Sequence, residues 1–478
     1  MTSFSNRIVI YFFSFLLLIA AGLAAYLQEY YILFIPLGLI ACMALLQHPE
    51  YLFYLLVLSI PWSVEYNFTP TIGTDLPDEP LMLLTAAASI LVFIYHREKF
   101  NLSWIHSIIF LLIVQFAWIL VTVITSTDVL VSLKYLLAKT WYLLAFVAAP
   151  LFLFRDEKIL KRAVLILLFS MMAFMLFAMV KHAQNGWTFE KINDSLEPFF
   201  RNHVNYSALL VFMVPLLVAV MQATGSKFFK RILQALLLIT LVALYFSYSR
   251  GAWLALIAGF VSYWLIRKKL LLTAYLAFLV ICLGAVLWLK HNDNYLKFSP
   301  DYNTTVFHTD FREHLVATYQ MKDVSTAERF HRWVGGVRMI EDSWKTGFGP
   351  TSFYKQYKSY TQPAFKTWVS KNEEQSTVHN YFLLLAIEQG IPGLLLFLIL
   401  LGAMFGYAQN IYHRTKEKTW KVSMAAIGSI LIMQCVINSL SDLVETDKVG
   451  SIFYLALSVI VIADLKTRKE RNEMEAGV

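Results

Sequence analysis

Long apolar runs alternate with short polar connections along most of the chain. Runs of about 17 to 25 apolar residues can cross the hydrocarbon core of a bilayer as α-helices. The candidate runs are 8–26, 30–46, 51–62, 81–95, 104–124, 134–154, 159–180, 204–223, 231–248, 251–266, 270–289, 381–408, 422–440 and 449–463. Because the run 51–62 is short for a span, the pattern predicts an all-α polytopic membrane protein with about 12 to 14 transmembrane helices.

One long polar interval, residues 290–378, interrupts this pattern. Its polar side chains and irregular backbone could not be satisfied in hydrocarbon, so it is predicted to lie outside the membrane. The chain then divides into membrane helices with short loops (1–289), one large periplasmic loop with short helices (290–378), and C-terminal membrane helices with a cytoplasmic tail (379–478). Within the loop, a helical repeat of apolar residues predicts a helix over 327–344. The repeat consists of Phe330, Trp333, Val334, Val337 and Ile340.

The composition supports the membrane class and fixes the orientation. Hydrophobic residues make up 58% of the chain, charged residues only 15%, and the mean hydropathy is +0.59. The 40 Lys and Arg exceed the 32 Asp and Glu, but they cluster in short loops on one side, where the positive-inside rule puts cytoplasmic loops. This distribution argues against nucleic acid as a partner and predicts that both termini are cytoplasmic. The first apolar run lacks a small-residue cleavage site, so it is not expected to be a signal peptide.

No sequence pattern indicates a metal or a nucleotide. The three cysteines, Cys42, Cys282 and Cys435, are far apart and each lies in an apolar run, which indicates neither a disulfide framework nor a zinc site. An Asp-x-Asp motif and a glycine-rich Gly-Lys-Ser/Thr loop are both absent from the sequence. The acidic stretch 442–447 is interpreted as a solvated outer loop rather than a metal site. We therefore expect no cofactor.

Arginines at the predicted outer face are the first candidates for chemistry. Arg250 lies in a tight turn between two apolar runs, at the predicted outer membrane interface. By the positive-inside rule, loops at this interface carry few cations. Arg329 and Arg332 are three residues apart on the predicted loop helix, hence on one face, and Arg338 follows further along. Guanidinium groups offer forked donors that match phosphate oxygens. The alternatives are a snorkelling turn residue at 250 and a solvated charged face on the loop helix.

His379 and Lys139 are the other candidates. His379 precedes a long apolar run, so it is expected in the first turn of a membrane helix, where the helix dipole keeps the imidazole neutral and able to accept a proton. The alternative is that it caps the helix or meets lipid headgroups. Lys139 lies deep in a predicted span and is interpreted as facing a cavity, a carboxylate or the substrate. Lys134, nearer the end of that span, is expected to snorkel outward.

Several of these residues belong to motifs that together resemble one family. The motifs are YSRGAWLAL at 248–256, Arg329 with Trp333, GFGP at 347–350, HNYFL at 379–383 and EQGIPGL at 388–394. Their order, and the large outer loop before the last spans, resemble the O-antigen ligase family of bacterial envelope glycosyltransferases. The resemblance covers roughly residues 201–397. It extends more loosely to Arg201 and Asn205, which lie in a segment similar to the family's asparagine-containing segment.

The resemblance implies an inner-membrane enzyme whose periplasmic side transfers a glycan from undecaprenyl diphosphate to an acceptor hydroxyl of a lipid A-core sugar. Such a transfer belongs to lipopolysaccharide biosynthesis and needs neither metal nor nucleotide. Carried over to this chain, Arg250 and Arg329 hold the diphosphate and His379 is the base. Further substrate contacts are expected from Arg332, Arg338, Arg201, Asn205, Lys139 and Asn380.

Three other functions share part of this pattern. A polysaccharide polymerase would use a second lipid-linked glycan as the acceptor, and a protein O-oligosaccharyltransferase would use a Ser or Thr hydroxyl. A lipid-linked glycan flippase or another transporter would also have many helices. A transporter is expected to carry charged residues near the membrane midplane and to show repeated halves, whereas the candidate arginines here gather at one face and no halves repeat.

Overall fold

The structure, a computed structural model, describes residues 48–69, 72–95, 106–153, 157–299, 324–367, 370–372 and 375–475, with positions 15, 16, 19 and 23 nearer the N-terminus. The predicted runs 8–26 (apart from those four positions) and 30–46, and residues 301–323 of the polar interval, lie outside this range. The described chain is helical with almost no sheet. The predicted all-α membrane fold is therefore confirmed.

Thirteen labelled helices carry the architecture of the described residues. They are α1 Glu50–Ser59, α2 Asp78–Tyr95, α3 Ser107–Ile124, α4 Val129–Leu143, α5 Glu157–Gln184, α6 His203–Ala223, α7 Lys227–Tyr245, α8 Arg250–Arg267, α9 Leu271–Lys290, α10 Val324–Asp342, α11 Tyr381–Arg414, α12 Lys418–Asn438 and α13 Asp447–Glu475. A π-helical turn, Leu144–Ala148, joins α4 to the short helix Ala149–Leu153. Other short helical turns connect the long ones.

Ten helices in the described part of the chain are long and apolar enough to cross a membrane. They are α2 to α7, α9 and α11 to α13, with α4 extending to Leu153. Helix α1 with its following turn, Glu50–Trp62, is shorter, as the sequence predicted. Helix α8 has 18 residues but is less apolar than these ten, because it carries an arginine at each end.

The helices differ widely in how much of them is enclosed by the protein. In the most apolar stretches of α12 and α13, 78% of the residues are buried, whereas only 11% are buried in α9. Helices α6, α8 and α11 all pack against α12, which is therefore central. Helix α9 contacts α11 near its N-terminal end and otherwise presents apolar side chains outward. It is a peripheral helix whose faces are open to lipid.

The acidic segment 65–79 is not an irregular loop. Val64–Thr69 and Ile72–Leu76 form an antiparallel β-hairpin, the sheet present among the described residues. The hairpin was not predicted from the sequence, although its first strand, VEYNFT, alternates apolar and polar residues as a strand does. The hairpin lies at the same end of the bundle as the start of α6, since Arg201 reaches Glu65 on its first strand.

Helix α11 breaks at Gly390, and the break explains two of the sequence motifs. Gly390 has φ +71° and ψ 176°, a conformation essentially restricted to glycine. Pro392 has no N–H to donate, and the Ile391 N–H is turned toward the Trp344 carbonyl (2.8 Å). The break therefore frees the carbonyls of residues 387 and 388 from their usual helical partners, the amides of residues 391 and 392.

Each freed carbonyl receives another donor. The backbone amides of Phe348 and Gly349 donate to the carbonyls of Ile387 (3.0 Å) and Glu388 (2.9 Å). The indole Nε1 of Trp118 in α3 donates to the Gln389 carbonyl at 2.9 Å. Buried backbone groups must find such partners to avoid a large desolvation cost. The GFGP segment and the EQGIPG segment are thus two halves of one joint between the loop and the membrane helix.

We expect Gly390→Ala to destabilise this joint strongly. A Cβ at position 390 would lie 2.3 Å from the Lys345 carbonyl oxygen, and the backbone conformation alone costs a non-glycine residue about 1–3 kcal/mol. The matched control is Gly284→Ala in α9, where an added Cβ meets nothing within 4 Å. Thermal unfolding of the purified protein in detergent should show a clearly lower Tm for the Gly390 variant only. Equal Tm values for both variants would contradict this account of the joint.

Candidate active site

The loop helix α10 packs on the start of α11 through small residues. A Cβ added at Gly336 would lie only 2.7 Å from Cδ1 of Ile387, so the two helices approach closely because position 336 lacks a side chain. Met339 is fully buried in this contact. The face of α10 that is buried therefore runs through glycines and polar residues. The predicted apolar stripe, including Phe330 and Trp333, is only half-buried beside it.

The residues before α11 form a short segment, Thr377–Asn380, that the loop helix holds in place. Nη1 of Arg332 donates to the Thr377 carbonyl (3.2 Å), and the indole of Trp333 donates to the Val378 carbonyl (3.0 Å). Asn380 caps α11 by accepting the Leu383 amide at 3.0 Å. This segment, which we call the histidine segment, is fixed at both of its ends.

His379 does not lie in the first turn of the membrane helix, as the sequence had predicted. It precedes the capping residue and has φ +52°, a left-handed conformation that non-glycine residues seldom adopt. The constraints on its neighbours maintain this conformation. Such strained residues tend to occur where a side chain has to be presented in a particular direction.

The environment of His379 keeps its imidazole neutral. Burial, followed by the charges of Arg332 and Arg329, lowers the pKa of His379 to about 3. The predicted neutral ring therefore follows from desolvation and two neighbouring cations rather than mainly from the helix dipole. Both loop arginines act electrostatically on this one histidine, so three of the candidate residues lie close together.

Arg332 is more enclosed than a solvated loop arginine would be. Its side chain is buried and pairs with Glu328, four residues earlier on α10, with Nη2 3.5 Å from Oε2. Glu328 also accepts from the Ser370 hydroxyl (2.6 Å) and from the Thr367 hydroxyl. Arg332 is thus held by a carboxylate on one side and supports the histidine segment on the other. These contacts fit a role for Arg332 in positioning His379.

The loop between α12 and α13 lies between the start of α8, where Arg250 is, and the histidine segment. Arg250 begins α8, and a Cβ added at the next residue, Gly251, would lie 3.4 Å from Cδ1 of Leu440. The neighbouring Ser441 carbonyl accepts the Tyr381 amide at 3.0 Å, two residues after His379. Nη1 of Arg250 is buried. The start of α8 and the histidine segment therefore flank the same short loop.

That loop is not the solvated acidic loop that the sequence predicted. Asp442 hydrogen-bonds with Thr377, and its burial raises the pKa of the Asp442 carboxyl. Glu445 accepts from Tyr135 at 3.2 Å and pairs with Lys139, whose Nζ lies 3.2 Å from Oε2. The loop instead forms part of the packed support beneath His379, because it is enclosed by α4, α11 and α13.

Lys139 has a carboxylate partner, which was one of its predicted alternatives. Its ammonium pairs with Glu445 and lies over the rings of Tyr135 and Tyr454, 5.6 and 5.2 Å from their centroids. The nearby cavity, with a volume of 10 Å³, has room for about one water molecule. It is too small for a sugar or a lipid. The structure therefore does not place Lys139 as a substrate contact. Lys134 is exposed, in keeping with a snorkelling position.

The remaining candidates have partners outside the histidine segment. Arg201 is exposed and pairs with Glu65 of the hairpin, with Nη2 2.6 Å from Oε2. The amide of Asn205 donates to the capping residue Asn202, which places Asn205 in the first turn of α6. Arg338 hydrogen-bonds with Gln362. None of these contacts joins them to the histidine segment.

Sequence reasoning missed the residues that support the site. Glu328 could have been found, because a glutamate four residues before an arginine on a helix indicates an ion pair. Trp333, Thr377 and Asp442 act through contacts between distant parts of the chain. No local pattern in the sequence marks such contacts.

The fold and the site together define a class: a polytopic helical membrane protein in which loop arginines and a neutral histidine lie together at the start of a membrane helix. Residues 235–398, about a third of the chain, match the family model described as O-Antigen ligase. The resemblance seen in the motifs is thereby confirmed over this part of the chain. The match includes Arg250, Arg329 and His379. A comparison with curated proteins finds no match.

Proposed function

We propose that this protein transfers a glycan from undecaprenyl diphosphate to a hydroxyl of a lipid A-core sugar, at the periplasmic face of a bacterial inner membrane. The observation that carries the proposal is the grouping of Arg329 and Arg332 around a buried, neutral His379. Arg250 begins α8, and the start of α8 and the histidine segment flank the same loop between α12 and α13. Cations suit a diphosphate, and a neutral imidazole suits an attacking hydroxyl.

The arginines assist departure of the leaving group. Displacing a lipid diphosphate from an anomeric carbon develops negative charge on the departing phosphate, and fixed cations in a site shielded from water stabilise that charge. In this scheme Arg250 and Arg329 bind the diphosphate, while Arg332 holds the histidine segment. The donor is already activated, so the transfer requires neither a nucleotide nor a metal.

His379 accepts the proton of the attacking hydroxyl. A pKa of about 3 would make it a weak base, because a good general base has a pKa near the working pH. A bound diphosphate carries negative charge that offsets the two arginines, so donor binding raises the pKa of His379.

A polysaccharide polymerase is the second candidate, because the matched family includes enzymes of the polymerase and ligase type. The two functions differ in the acceptor. A polymerase extends one lipid-linked glycan with another, whereas a ligase moves the glycan to the lipid A-core. The same arginines and histidine would serve both reactions. Analysis of the product therefore distinguishes a ligase from a polymerase, whereas the geometry of the site does not.

We expect the product linkage to have the anomeric configuration opposite to that of the donor. A single displacement by a hydroxyl inverts the anomeric carbon, and the proposed site uses His379 as a base rather than as a covalent nucleophile. Purified protein would be incubated with a defined undecaprenyl diphosphate glycan and lipid A-core, and the linkage assigned by NMR. Retention of configuration would refute this mechanism. Longer lipid-linked chains without lipid A-core product would establish the polymerase.

A further inference from the structure

A polar cleft opens at the end of the helix bundle opposite the candidate active site. Helices α8 and α11 both start near the histidine segment and run to this end, where they finish at Arg267 and Arg414. The cleft has a volume of 420 Å³ and is lined by Lys269, Gln409, Asn410, His413 and Arg414. Among the residues that the structure describes, no acidic side chain lines it. It lies at the face that the basic loops predict to be cytoplasmic.

Lys269 occupies a backbone position that normally favours glycine. Its φ is +59°, and the Leu270 amide donates to the Leu265 carbonyl at 2.9 Å, which closes the C-terminal turn of α8. Helices that end in this way usually have glycine at the left-handed residue. A lysine in this conformation is strained. Lys269 is nevertheless the residue found there, and it lines the cleft.

Two of the other lining residues, Gln409 and Arg414, are donors. Oε1 of Gln409 accepts the Leu271 amide at 2.8 Å, which leaves the side-chain NH₂ group to face another partner. Arg414 pairs with Asp464, with Nη2 2.7 Å from Oδ1. Asp464 is 1% exposed and is also paired with Arg468, so its negative charge is not presented to the cleft. The cleft is therefore suited to an anion.

An uncovered apolar helix begins at the edge of this cleft. Helix α9 starts at Leu271, and only Leu271 and Tyr275 are buried along it. Val280 and Ile281 are 70% and 68% exposed. A donor-rich cleft thus continues directly into an apolar face of membrane-spanning length. A phosphate headgroup with attached acyl chains has this same succession of charge and hydrocarbon.

We propose that this cleft binds an anionic phospholipid, with its phosphate among Lys269, Gln409 and Asn410 and its acyl chains along α9. The charge of the cleft selects an anionic headgroup. The continuity with α9 favours a membrane lipid over free phosphate. The site lies at the opposite end of the bundle from the histidine segment, so it is independent of the proposed transfer reaction.

The test variant is Lys269→Gly, which removes the cation and supplies the residue that the turn favours. The protein would be purified in detergent, and binding of phosphatidylglycerol and phosphatidylcholine measured by native mass spectrometry. The wild type should bind phosphatidylglycerol in preference, and the variant should bind it about fivefold more weakly. The variant should retain or exceed the lipid-free Tm of the wild type. Lys227→Gln, an exposed lysine at the start of α7, should bind like the wild type.

Several results would overturn the proposal. These are equal binding of the two lipids by the wild type, unchanged phosphatidylglycerol binding in Lys269→Gly, or an equal loss in Lys227→Gln. Glycerol phosphate in place of the lipid separates headgroup binding from lipid binding, and equal affinity for it would exclude the contribution of α9. A stable dimer formed through α9 without bound lipid would identify a second copy as the occupant instead.

Discussion

His379→Ala is expected to lower the rate of glycan transfer by about 10² to 10⁴, the usual contribution of a general base. In the host, lipid-linked glycan should accumulate while surface glycan is lost. The side chain is not part of the support for the histidine segment, which depends on Arg332, Trp333 and Asn380. The variant should therefore fold and insert normally, and only transfer should fail.

The control and the pH profile make this prediction specific. His291→Ala, at an exposed position after α9, should leave transfer unchanged. Because the pKa of His379 is about 3, kcat/KM, which reports the free enzyme, should show no titration of this residue between pH 5 and 8. In kcat, which reports the donor complex, the pKa of His379 should be higher, since the bound diphosphate offsets the arginines. Undiminished surface glycan in His379→Ala would eliminate it as the base.

Replacing either of the two arginines that are proposed to bind the diphosphate by lysine should lower kcat/KM by about 10² to 10³. This is the loss observed when one preorganised donor to a developing anion is removed. Lysine keeps the charge but not the planar fork of donors, so it cannot restore two-point contact with phosphate oxygens. The variants are Arg250→Lys and Arg329→Lys. The measurement is transfer from a defined undecaprenyl diphosphate glycan by purified protein.

Arg201→Lys is the matched control for the arginine variants. Its side chain is 76% exposed and pairs with Glu65 on the hairpin, so transfer should stay within about twofold of the wild type, because an exposed ion pair contributes only about 0–1 kcal/mol. If Arg201→Lys loses as much activity as Arg250→Lys, the diphosphate lies nearer the hairpin than proposed. If both Arg250→Lys and Arg329→Lys retain full activity, the diphosphate is bound elsewhere.

These two predictions separate the roles of residues that the sequence had grouped together. Arg329 acts electrostatically on His379, whereas Arg332 also carries hydrogen bonds that hold the backbone before α11. We therefore assign diphosphate binding to Arg329 and positioning to Arg332. Lys139, considered at first as a substrate contact, is satisfied by Glu445 within the bundle.

The sequence by itself determined the membrane class, the apolar helices, the loop helix and the family resemblance. Each of these depends on local information: hydropathy over about 20 residues, helical periodicity, or short motifs. The choice of Arg250, Arg329 and His379 also came from motifs. The break at Gly390 was marked by glycine and proline, but the reason for the GFGP motif was not visible until its amides were seen to serve the freed carbonyls.

Only the tertiary structure decided which charged residues lie together. It enclosed Asp442 and Glu445 beneath the histidine segment, paired Arg201 with the β-hairpin, and placed His379 before its helix in a left-handed conformation. Burial and long-range pairing depend on how distant helices pack. Hydropathy and periodicity describe one helix at a time, so they carry no information about which helices become neighbours.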